Sequence, residues 1–339
     1  MNSLAKFSSV ILAVVMLIWG CSREAEQPVS LEADALSATF GSHGAGARIV
    51  DWDGNVLQEG NNGFTCMPSP PAFAEREAVS PMCLDKVWMA WADAWQNRQP
   101  FSTNRIGIAY MLAGDGGASN VDPYAEGPTE DNQWIVEGPH LMIIAPDASL
   151  LDGIPTDPSS GGPYVMWRGS EYEHVMVPVK IPDATAAESQ LDDALSAADT
   201  ALQASVAVMD WAGEVLRESD GNYTCMPTPA QLTGRAPMCF DETWMAWGDA
   251  WQNRQPFSTD RIGIAYMLAG DEGASNIDPF AEEATDDNQW VVEGPHVMLI
   301  APDISMLAGV SRNPQQHGPY VMWDGTPYAH VMIPVAERE

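Results

Sequence analysis

Residues 95–103 read W-Q-N-R-Q-P-F-S-T, and residues 251–259 read the same. A second string, I-G-I-A-Y-M-L-A-G-D, starts at Ile106 and again at Ile262. Both recur at an offset of 156, as do Cys83 with Cys239 and His174 with His330. Upstream the offset is 159, from Trp52 to Trp211 and from Cys66 to Cys225. The chain therefore carries one domain-length segment twice, with a loop between the cysteines shortened in the second copy. Asp34-Ala35-Leu36-Ser37-Ala38 recurs as Asp193-Ala194-Leu195-Ser196-Ala197. The copies thus span 31–180 and 190–339, joined by 181–189. A repeat of this length is too long for a solenoid unit and is long enough to bury a core, so two homologous globular domains are expected.

The N-terminus reads as a targeting segment. Lys6 supplies positive charge, Val10 to Trp19 is apolar, and Gly20 precedes Cys21. The apolar run is short for a membrane span. Ile18-Trp19-Gly20-Cys21 resembles the lipobox of bacterial lipoproteins, which implies cleavage after residue 20 and lipidation of Cys21. Residues 21–30 then form a tether. Ser22 after the cysteine points to the outer membrane, with the protein in the cell envelope facing the periplasm. The formal net charge is −32. Such a surface repels nucleic acid. The expected partners are the membrane, through the lipid, and an unidentified protein or small molecule.

Setting Cys21 aside leaves Cys66 and Cys83 in one copy and Cys225 and Cys239 in the other. One pair per domain in an exported chain predicts two intradomain disulfides. No C-x-x-C is present, so neither thioredoxin-like redox chemistry nor c-type haem attachment has support.

One helix per copy is well signalled. Asp85 can cap it, Trp88, Trp91 and Trp95 share a face, and Pro100 stops it; Asp241, Trp244, Trp247, Trp251 and Pro256 repeat the pattern. The tryptophan stripe is read as core packing rather than as a carbohydrate platform. Strands are expected at 106–112, 140–145, 164–167 and 174–179 and at their counterparts, with shorter ones at 49–50, 56–57, 206–209 and 215–216. Strands outnumber helices and lack helical crossovers. The fold class is α+β: in each domain a mainly antiparallel sheet, one principal helix and one disulfide.

The sharpest chemical pattern is H-x-M, at His140/Met142, His174/Met176, His296/Met298 and His330/Met332. On a strand, residues i and i+2 share a face, so each pair presents an imidazole and a thioether together. That donor set suits Cu(I). Methionine also fills cores well, so each pair is read first as a buried histidine beside a core methionine, with metal binding as the alternative. The copper reading as framed from sequence requires His140 and His174 to meet at one ion. Asp115, Asn120 and Asp122, with Asp271, Asn276 and Asp278, offer oxygen ligands for calcium but are ordinary turn formers. His140, His174, Glu137, Asp93 and Arg98 supply the groups for acid–base catalysis, yet no G-x-S-x-G, H-E-x-x-H or P-loop supports a reaction.

The string T-C-M-P, then P-M-C-x-D, G-P-H-x-M, G-P-Y-V-M-W and H-V-M-x-P-V resembles an uncharacterised domain of exported bacterial proteins. The resemblance covers most of each copy and implies no activity. The sequence is thus read as a tandem version of that domain behind a lipoprotein signal. It is read as a non-catalytic binding module without a cofactor, the alternatives being a copper-binding protein and an envelope hydrolase.

Overall fold

The computed structural model describes residues 29–74, 78–183, 187 and 189–338. The signal segment and the candidate lipidation site Cys21 lie outside the described residues. The first half contains helices α1 (Leu31–Leu36), α2 (Gly41–Gly46), α3 (Pro71–Ala74) and α4 (Lys86–Gln96). Its strands are β1 (Arg48–Val50), β2 (Val56–Gln58), β3 (Thr65–Met67), β4 (Met82–Leu84), β5 (Gly107–Met111), β6 (Ala118–Ser119), β7 (Trp134–Ile135), β8 (His140–Ile144), β9 (Tyr164–Met166) and β10 (His174–Pro178). The second half has helices α5 (Gln190–Leu195) and α6 (Glu242–Gln252). Its strands are β11 (Ala207–Met209), β12 (Val215–Arg217), β13 (Thr224–Met226), β14 (Met238–Phe240), β15 (Gly263–Met267), β16 (Ala274–Ser275), β17 (Trp290–Val291), β18 (His296–Ile300), β19 (Tyr320–Met322) and β20 (His330–Pro334).

Each half builds an eight-stranded sheet, in the order β2-β1-β3-β4-β5-β8-β10-β9 and its counterpart. All pairings in these sheets are antiparallel except β1 with β3 and β11 with β13. The disulfides are Cys66–Cys83 and Cys225–Cys239. Each joins residues directly opposite one another on adjacent strands, and each contributes on the order of 3 kcal/mol by restricting the unfolded chain.

The principal helix starts as its sequence predicts. Asp85 accepts hydrogen bonds from the backbone N–H groups of Val87 and Trp88, and its second oxygen accepts from Ile108 N–H. Asp85 therefore ties α4 to β5 as well as capping it. The helix ends before Pro100 takes effect. Arg98 adopts φ 53°, and the Arg98 and Gln99 amides donate to Trp95 and Ala94 carbonyls, closing a Schellman motif. The Arg98 guanidinium lies 4.3 Å from the Tyr124 ring centre, which anchors the left-handed residue. Arg254 repeats this over Phe280 at 4.5 Å. Trp88 and Trp91 are buried, as are Trp244 and Trp247. Trp95 and Trp251, expected in the same stripe, are only half-buried, because the last helical turn runs past the packed core.

The long strands β5, β8, β10, β15, β18 and β20 are buried at every position. Their even and odd residues feed different cores. In the first half Ala109, Met111, Met142 and Met176 pack under α4. Ile108, Tyr110, Leu141, Ile143, Val175 and Val177 face the other way and join Ile264, Tyr266, Leu299 and Val331 of the second half in one continuous cluster. Two self-sufficient domains were expected; the outer cores are separate, but the inner core is shared.

Contacts across the shared core are reciprocal. Ile106 N–H donates to the Met306 carbonyl, and Ile262 N–H donates to the Leu150 carbonyl. These are equivalent positions exchanged between halves at the 156 offset. His43 packs on Gly318, and Leu202, the counterpart of His43, packs on Gly162, the counterpart of Gly318. The halves are related like the protomers of a two-fold dimer, in which one patch meets its own copy.

Candidate functional site: a thioether and indole cavity

Beneath α6 lies a cavity of about 850 Å³. Its floor is the α6-facing side of the second sheet, and strand register fixes which side chains stand there. Met267 on β15 is directly opposite His296 on β18. Met298 on β18 is opposite Met332 on β20, and His330 on β20 is opposite Met322 on β19. All six line the cavity, together with Trp244, Trp247 and Trp323. The first half repeats the pairs as Met111–His140, Met142–Met176 and Met166–His174.

The four H-x-M pairs thus lie on strands with histidine and methionine on one face. Their opposing partners Met111, Met166, Met267 and Met322 escape a sequence reading, because cross-strand register is a long-range property; the only available signal is that these methionines also recur in both copies. His140 stands opposite Pro178, four residues from His174 on β10. At about 3.4 Å per residue, that offset puts roughly 14 Å of strand between the two histidines. The imidazoles flank the methionine pair instead of meeting at one ion, which removes the two-histidine site framed from sequence.

Each of these imidazoles is oriented by a backbone carbonyl. His296 Nδ1 is 2.7 Å from the Gly294 carbonyl and His330 Nδ1 2.9 Å from that of Tyr328. His140 and His174 bond Gly138 and Tyr172 in the same way. A carbonyl only accepts, so Nδ1 carries the proton and Nε2 keeps a free lone pair. Nε2 of His140 and of His296 is buried without a partner. Burial holds the His174 and His330 imidazoles down to about 4, well below the ordinary value of 6.5. His330 sits edge-on to Trp244, Trp247 and Trp323 at 5.1–5.5 Å between ring centres.

The lining contains five carboxylates, Asp210, Asp249, Asp271, Glu272 and Asp278, and neither lysine nor arginine. Asp271 is half-buried, and its loss of solvation pushes the carboxyl upward despite bonds from the Gly273 and Glu293 amides. The rims of the two halves differ. In the first half Phe73, from the longer disulfide loop, lies against Gly116. The second half has Glu272 at that position, and its carboxylate accepts from Thr233 and Gly234 instead.

The other candidates have structural partners. Asp115 accepts from the Gly117 and Glu137 amides, and Asp122 from the Tyr124 amide. Asn120 donates to Gln133 and to the Thr156 carbonyl. These are turn-forming bonds. Glu137 accepts from the Tyr164 hydroxyl at 3.0 Å. Asp93 accepts from Asn97 at the helix end, and its counterpart Asp249, bonded to Asn253 in the same way, lies on the cavity lining. Among the described residues, no three His, Cys, Asp or Glu side chains form a group able to hold a metal ion. Also among the described residues, no helix is long and apolar enough to cross a membrane.

No protein-family model matches the chain, and neither does any curated protein or any solved structure.

Proposed function

We propose that this protein is an envelope lipoprotein acting as a non-catalytic binding module, with the second-half cavity as its site. The observation that carries the reading is the cavity itself: about 850 Å³ walled by methionine and tryptophan, within the size range of small-molecule sites. Flexible thioethers and rigid indoles accommodate apolar ligands of varied shape. Carboxylates without a cation at the lining favour neutral or cationic ligands over anions.

The neutral apolar dye Nile red tests this. It is expected to bind the full chain with enhanced fluorescence. Met298→Trp, which fills the cavity from its floor, is expected to weaken binding at least tenfold, roughly 1.4 kcal/mol. Equal affinity in the two proteins would remove the cavity as the site. Anchoring rests on Lys6, the apolar run and Gly20-Cys21, and two disulfides suit an oxidising compartment. Cys21→Ser is expected to shift the protein out of the membrane fraction or block its processing. Mass spectrometry of wild type showing no lipid on Cys21 would refute the anchor.

A further inference from the structure

The donors on the cavity floor fall into sets with one histidine each. His296 has Met267 directly across the strand pair and Met298 two residues along its own strand on the same face. Directly opposed side chains on a sheet stand about 5 Å apart at Cβ, and the unbranched methionine stem adapts its sulfur position through three rotatable bonds. We infer that the cavity is a Cu(I) site whose ligands are His296 Nε2 and the thioethers of Met267 and Met298, an assignment that rests on reading the cavity as a binding site.

Three independent features converge on these atoms. The first is the donor chemistry. One neutral imidazole with two thioethers is a soft set that selects Cu(I) over zinc, calcium or magnesium. The second is the state of His296. Its Nδ1 is held by the Gly294 carbonyl, the outer contact that orients metal-ligating histidines, while Nε2 is wholly buried with no partner. A bare buried polar atom carries an uncompensated desolvation cost; an ion on that nitrogen removes it. The third is charge. Asp271 lines the cavity with this set, half-buried, and the lining holds four further carboxylates and neither lysine nor arginine. A monovalent cation offsets that excess of negative charge. His330, by contrast, is enclosed by three indoles, which favours a packing role.

The first half repeats the set as Met111, His140 and Met142, with His140 Nε2 also buried and bare. Two ions per chain are therefore expected.

The test is competition for Cu(I) between the full chain and the chromophoric chelator bicinchoninate, under anaerobic conditions with ascorbate. Wild type is expected to withdraw two equivalents. Met298→Leu nearly conserves volume and leaves the core packed, and it is expected to lose one equivalent. Met142→Leu/Met298→Leu is expected to lose both. No withdrawal by wild type, or the same stoichiometry in wild type and Met298→Leu, overturns the assignment. Far-ultraviolet circular dichroism confirms that each variant is folded. Nile red binding separates the two readings: dye bound by wild type without copper uptake sinks the copper site alone, and absence of both sinks the cavity as well.

Discussion

Expressed without the first half, residues 190–339 are expected to form a dimer. In the full chain the inner face of the second sheet shares one core with the first. Separation would leave the Ile262 N–H without the Leu150 carbonyl and open this face to solvent. It would also uncover Leu202, which packs on Gly162, and Leu299, Val331 and Ile333, which belong to the shared cluster. Each fully buried aliphatic side chain contributes about 1.5–3 kcal/mol, and a domain's whole stability is about 5–15 kcal/mol, so a lone half cannot lose this core and remain a well-folded monomer. A second copy of the same half can replace what was lost, because the contacts are reciprocal. Leu202 of one copy would meet Gly318 of the other, where His43 sits in the full chain, and Ile262 would donate to Met306. Sedimentation equilibrium should give twice the mass of the segment. Gly318→Trp, which blocks the close approach, should abolish the dimer and leave aggregating material. A monomer that melts as cooperatively as the full chain would show that the shared core is dispensable.

That shared core marks the limit of what the sequence discloses. The duplication, both disulfides, the cap at Asp85 and the strands carrying H-x-M are legible because each is local or is repeated outright. Val175, Met176 and Val177 in succession say that a strand is apolar on both faces and therefore covered on both. They do not say that the second cover is the other half. The α2 segment Gly41–Gly46 contains three glycines, which weakens any local helix signal; Gln58 and Asn62 donate to its carbonyls and His43 is held in the core. The partners Met267 and Met322 depend on register, which is set by the ends of strands far apart in sequence. Arg98 reads as one of a set of groups that could serve acid–base catalysis; its left-handed φ and the ring of Tyr124 explain it as a helix terminus.

His43 is a buried polar side chain of that core that the second half replaces with leucine, and it carries a pH effect of its own. Thr39 Oγ1 lies 2.8 Å from His43 Nδ1, and His43 Nε2 has no partner. Burial holds the imidazole down to about 4. The second copy has Ala198 and Leu202 at the equivalent positions, at the 159 offset, and both are buried there. Thr39→Ala/His43→Leu thus installs a pair the fold already accommodates. A histidine whose folded value is depressed contributes stability that is intact above about 6.5 and is lost as pH falls through about 4, since the unfolded chain takes up the proton first. His174 and His330 act in the same sense. Asp85 and Asp241, pushed up to about 6 by burial, act in the opposite sense over the same interval. All four are retained in the double variant, so the difference from wild type isolates His43. At pH 7.5 the variant is expected to be more stable by about 1 kcal/mol, from removing one bare buried nitrogen. At pH 4.5 the gap should widen by about 2.5 kcal/mol, the linkage expected for a shift from 6.5 to 4. Urea midpoints across this range, compared at constant slope, measure it. Parallel pH curves for the two proteins would mean that His43 titrates normally and that its burial does not govern the acid stability of this core.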